Sequence, residues 1–127
     1  MTARFTAQQA IETALEHSIV PDGFNIHKED IRQAWIDGRC SDDWLAQINA
    51  CADYYASAKR IVTKSAGSGS YGLKHNIENA AGRYISNGAA LLAAYLVGVT
   101  VWPYYGTFNG QIGISRRYAI RRTRSIL

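Results

Sequence analysis

The chain has 127 residues, a net charge of +4 and only two prolines, which excludes the polar, uncompacted composition of a disordered segment and suits one compact domain with a single core. Residues 1–64 hold seven Lys or Arg against nine Asp or Glu, while residues 65–127 hold seven against one, Glu78. The second half is therefore cationic, which points toward an anionic partner, nucleic acid before membrane.

Thr6 and Gln9 have capping-box spacing, and Ile11, Ala14, Leu15 and Ile19 recur on one face, predicting a helix over residues 7–18. Pro21, Asp22 and Gly23 supply turn chemistry. A short helix over 28–37 offers Ile31 and Trp35 to the core, with Gly38 closing it. Ser41, Asp42 and Asp43 then suit the N-terminus of the longest helix, over 42–64, with Leu45, Ile48, Cys51, Tyr55, Ala58 and Val62 on its apolar stripe. Lys59, Arg60 and Lys64 fall in its last turns, where cations complement the helix dipole or meet a ligand. Cys40 and Cys51 lack the close spacing of a zinc knuckle or redox pair and read as reduced thiols. The N-terminus shows no secretory apolar region, so the expected location is cytoplasmic.

Residues 65–70, Ser-Ala-Gly-Ser-Gly-Ser, read as a flexible internal loop within one domain and match neither a P-loop nor a dinucleotide fingerprint. From Ser70 a helix runs toward Tyr84, weakened at Gly82. It displays Tyr71, Lys74, His75 and Glu78 within two turns as a polar site. His75 and Glu78 at i, i+3 suit general acid/base work or two metal ligands, but HExxH is absent and no third ligand is near, so neither a metal nor a cofactor is expected. A structural network or a partner contact are the other readings of the same four residues.

Residues 89–97 are apolar on every side, which marks a helix buried all round. The charge-free run from 84 to 115 resembles a membrane span, yet its strongly apolar part, Ala89 to Trp102, is shorter than the roughly 20 residues a crossing needs. A helix-turn-helix built on this segment would offer no polar side chain to base edges. Asn109-Gly110 predicts a small hairpin over 107–112. Ser115 then caps a closing helix over 116–125 bearing Arg116, Arg117, Arg121, Arg122 and Arg124. Guanidinium groups clustered in this way bind phosphates through paired hydrogen bonds and counterion release.

The run Ser70-Tyr71-Gly72-Leu73-Lys74-His75, then Glu78, Tyr84-Ile85-Ser86-Asn87-Gly88 and the alanine-rich helix resembles a pattern in small uncharacterised proteins of bacteriophages and mobile elements, over residues 70–98. The resemblance implies provenance and carries no established activity. It favours small non-enzymatic binders, including inhibitors of host defence enzymes, and a host bacterial cytoplasm. The expectation is a mainly α protein, a single-domain bundle of five to six helices with a short hairpin, that engages nucleic acid or a nucleoprotein through its C-terminal arginines and Lys59, Arg60 and Lys64. A protein-interaction inhibitor of a host enzyme is the alternative, and an enzyme using His75 and Glu78 the third.

Overall fold

A computed structural model describes residues 4–37 and 43–116. The described chain is mainly helical, as expected, with five α-helices, but it carries two small antiparallel sheets where a helical bundle with one short hairpin was expected.

Helix α1 (Ala7–His17) begins with the predicted reciprocal cap: Gln9 N–H donates to Thr6 Oγ1 at 3.2 Å and Thr6 N–H to Gln9 Oε1 at 2.9 Å. Left-handed Ser18 ends it, and the chain enters a two-stranded hairpin, β1 (Ile19–Val20) and β2 (Gly23–Phe24), around Pro21 and Asp22. Ile11 and Ala14 are buried, whereas Leu15, expected on the same face, is exposed. Helix α2 (Ile31–Ile36) starts three residues later than predicted. Lys28 has φ 54°, which a right-handed helix cannot contain, and Asn25 bonds both N–H and carbonyl of Glu29, leaving Asp30 to cap through Gln33 N–H.

The largest correction concerns the third helix, predicted over 42–64. Helix α3 (Trp44–Ser57) stops early, with Ala58 extended and Asp43 at the N-cap position without a side-chain cap bond. The cause lies far away in sequence. Ile61 N–H donates to Gly113 O at 2.8 Å, Ser115 N–H donates to Lys59 O at 2.9 Å, and Arg60 bridges Ile114, so sheet-like pairing replaces the helical bonds. Val62, placed on the apolar stripe by periodicity, is 85% exposed.

The Gly/Ser segment forms a 3₁₀ turn, Lys64–Ala66, then strand β3 (Ser68–Gly69), and leads straight into α4 (Ser70–Ala81), which left-handed Gly82 terminates. Strand β3 pairs with β5 (Gly110–Ile112), which also pairs with β4 (Val101–Pro103), giving the order β3-β5-β4. The hairpin is thus shifted from its predicted register. Gly110 belongs to the strand, opposite Pro103, and the connecting loop is 104–109, closed by Tyr104 N–H to Asn109 O and Thr107 N–H to Tyr104 O, with Gly106 at φ 79°.

Helix α5 (Asn87–Val97) is the centre, buried from Asn87 to Ala94. Ser86 caps it through Ala89 N–H, and α3 packs across it with Tyr55 donating to Ala90 O at 2.8 Å. Gly88 allows the helix start to press on the β1–β2 turn: a Cβ there would lie 2.0 Å from Val20 O. The core joins Ile48, Cys51 and Tyr55 to Leu73, Ile77 and Leu91, residues from both sides of the Gly/Ser segment. Among the described residues no helix is long and apolar enough to cross a membrane.

Candidate functional site

Helical spacing on α4 brings Tyr71, Lys74, His75 and Glu78 together, as the sequence suggested, and the return loop after Gly82 adds backbone groups to the cluster. Lys74 is only 6% exposed. Its Nζ donates to Glu78 Oε2 and to Ile85 O, each at 3.0 Å, and lies over the rings of Tyr84 (4.8 Å) and Tyr71 (5.5 Å). Glu78 Oε2 also accepts from Ile85 N–H at 3.1 Å, while Oε1 meets His75 Nδ1 at 2.9 Å. Lys74 and Glu78 thereby fasten the loop 82–86 to its helix, which is a structural task.

Burial opposes ionisation of Glu78, but hydrogen bonds from Ile85 N–H, Lys74 and His75, together with the Lys74 charge, outweigh it and hold the carboxyl below its ordinary value. An ionised Glu78 only accepts, so His75 donates to it through Nδ1. Tyr71 stands edge-on to this imidazole at 4.8 Å. The carboxylate and the ring of Tyr71 hold the imidazole in place, and half of its side chain is exposed.

These groups line one wall of a cleft of about 790 Å³, whose other walls are Pro21, Asp22, Tyr84, Asn87, Phe108 and Asn109. Asn87 is buried at the first turn of α5. Its Nδ2 donates to Asp22 O, Phe108 O and Asn109 Oδ1 at 3.0–3.3 Å, which fixes the amide orientation, and its Oδ1 has no hydrogen-bond partner. No sequence spacing marks Tyr84, Asn87, Asp22 and Asn109 as neighbours, because four separate segments deliver them. His17 stacks on Tyr95 and His27 meets Phe108, a wall of the cleft, edge-on at 5.4 Å, neither of them lining the cleft; among the described residues no three His, Cys, Asp or Glu are grouped to hold a metal ion.

A second constellation lies along the β3-β5 edge. The pairing of 59–61 with 113–115 brings Lys59, Arg60 and Arg116 into one region; Arg116 Nη2 donates to Ser65 O at 2.9 Å, and Lys64 Nζ lies 4.9 Å from the Tyr104 ring centroid. All four cations are exposed. Among the described residues none of them forms an ion pair with Asp or Glu. Lys59, Arg60 and Lys64 are not helix-end cations, as the spacing had implied, since α3 ends before them. Arg117, Arg121, Arg122 and Arg124, with the predicted closing helix, lie outside the described residues.

No protein-family model, curated protein or solved structure matches the chain. The two constellations therefore have to be read from their own chemistry.

Proposed function

We propose that this is a small non-enzymatic binding protein, of phage or mobile-element origin, that engages nucleic acid or a nucleoprotein through the basic edge formed by Lys59, Arg60, Lys64 and Arg116, continued in sequence by Arg117, Arg121, Arg122 and Arg124. One observation carries the reading: four cations separated by up to 57 positions in sequence are gathered at one sheet edge with no acidic partner among the described residues. Cations left unneutralised contribute nothing to intramolecular pairing and cost self-repulsion, whereas a polyanion would repay that cost through counterion release. Tyr104, held against Lys64 and itself exposed, adds the aromatic surface that nucleic-acid sites interleave with charge. In this reading affinity comes from phosphate contact, with little dependence on base sequence.

The test is retention on immobilised heparin and on an immobilised oligonucleotide. The protein should bind both at low salt and elute as ionic strength rises, and Lys59→Glu/Arg60→Glu/Lys64→Glu should pass through at a salt concentration that retains the parent. Weak, salt-insensitive retention contradicts the proposal. Capture of a stoichiometric host protein from nuclease-treated bacterial lysate, with no oligonucleotide binding, would move the function to inhibition of a host enzyme.

A further inference from the structure

We propose that the cleft between α4, α5 and the 104–109 loop is a pocket for one unstacked nucleobase, which makes the ligand single-stranded; this rests on the nucleic-acid reading above and names the substrate class it left open. The cleft and the basic edge are neighbours through two connections. The chain runs from Lys64 through β3 directly to Tyr71 on the cleft wall. The 104–109 loop places Tyr104 over Lys64 at one end and Asn109 in the cleft at the other, and Gln111 fastens the two by accepting from Tyr104 Oη at 2.5 Å and donating to Lys64 O at 3.1 Å. A strand whose phosphates follow the edge can therefore turn a base into the cleft.

The chemistry inside the cleft suits a base better than a phosphate. Tyr71 and Tyr84 are 57% and 50% exposed, large aromatic surfaces flanking a polar centre, and stacking on such rings tolerates any base. The formal charges of the lining, Asp22 and Glu78 against Lys74, sum to −1, and the Lys74 ammonium is already committed to Glu78 and Ile85 O. An anion gains nothing there. The polar groups of the cleft include both donors and acceptors: the Tyr71 and Tyr84 hydroxyls and the His75 ring lie on its wall, and the buried Asn87 Oδ1 has no hydrogen-bond partner. A nucleobase edge, which carries donors and acceptors side by side, can pair with such a mixed set, and the volume of about 790 Å³ accommodates a nucleoside. Duplex DNA or RNA, with its bases stacked and paired, could reach only the edge.

The experiment compares three fluorescent ligands of equal length at one salt concentration: a mixed-sequence single strand, its duplex, and a single strand of abasic sites. The single strand should bind at least about tenfold more tightly than the other two. Tyr71→Ala and His75→Ala should each erase most of that preference, with Tyr71→Phe restoring it, and far-ultraviolet circular dichroism confirming that each variant is folded. Lys59→Glu/Arg60→Glu/Lys64→Glu should weaken all three ligands alike. Equal affinity for the three ligands would overturn the pocket and leave the basic edge standing, as would a loss on Tyr71→Ala shared equally by all three. If no ligand binds, the nucleic-acid reading itself fails. The pocket is then judged by titrating adenosine and cytidine: chemical-shift changes confined to Tyr71, His75 and Tyr84 would support it, and their absence would overturn it.

Discussion

Lys74 is the residue on which the candidate site turns, since it is nearly buried, charged, and held by one carboxylate, one carbonyl and two rings. Replacing it with Met keeps the packing volume but strands Glu78 beside a carbonyl without its cation. Lys74→Met should lower unfolding free energy by about 2 kcal/mol or more, read from urea denaturation at neutral pH. The same cluster sets an acid limb to stability. The Glu78 carboxyl is held below its ordinary 4.5, so its ionised form contributes stability that is fully present above that value and lost as pH falls through the lower folded one. Glu78→Gln should therefore be less stable than the parent at neutral pH, with a smaller loss of stability on acidification; parallel pH profiles for the two proteins would reject the assignment. Cys51 offers a contrast. Burial, with the Glu78 charge adding to it, pushes its thiol up and leaves it protonated. Peptide mapping after alkylation should find Cys51 unmodified in the native protein and modified in denaturant.

At the scale of elements, the predictable features were those with local causes. The Thr6–Gln9 cap depends on residues three apart, the centrality of α5 on a run that is apolar all round, and the Tyr71, Lys74, His75 and Glu78 grouping on one helical face. Each was legible in the sequence. The end of α3 was not, because apolar periodicity continues to Val62 while the backbone of 59–61 is claimed by residues 113–115, more than fifty positions away. The hairpin failed in the same manner: Asn109-Gly110 is good turn chemistry, but Gly110 is paired with Pro103 and the turn falls earlier. Half of the cleft was hidden for this reason too, since Asp22, Asn87 and Asn109 meet only after the β1–β2 turn docks on α5. That docking has a sharp test. Gly88→Ala would place a methyl 2.0 Å from Val20 O and 2.8 Å from Pro21 O, both backbone atoms, where Gly88 N–H itself bonds Pro21 O at 2.9 Å. Overpacking of a core contact costs roughly 1–3 kcal/mol, so Gly88→Ala should melt well below the parent, whereas Gly72→Ala, with open space at its Cβ on the exposed face of α4, should be neutral or stabilising.

Over the whole molecule, charge is segregated rather than mixed. Acidic residues stop at Glu78, where the last one is consumed by Lys74 and His75, and the cations after it in the described chain lie in the loop following α4 and at the sheet edge. Arg83 pairs with Asp43 at 3.4 Å, so it is drawn back toward the acidic half. Lys59, Arg60, Lys64 and Arg116 have no such pairing among the described residues, and this difference is what separates a solubilising scatter of charge from a candidate interface. The half-chain arithmetic in the sequence pointed to cations without indicating which ones remain unneutralised, because neutralisation is decided by tertiary contact. On a single strand each phosphate contacted by such a cation contributes about 0.7 unit to the dependence of log affinity on log salt. The decisive measurement is that slope for a single-stranded oligonucleotide, in the parent and in a variant with Lys59, Arg60, Lys64 and Arg116 all changed to Gln. A basic edge that carries binding predicts a steep slope that falls by about two to three units in the variant; a flat slope in the parent, or the same slope in both proteins, would contradict it.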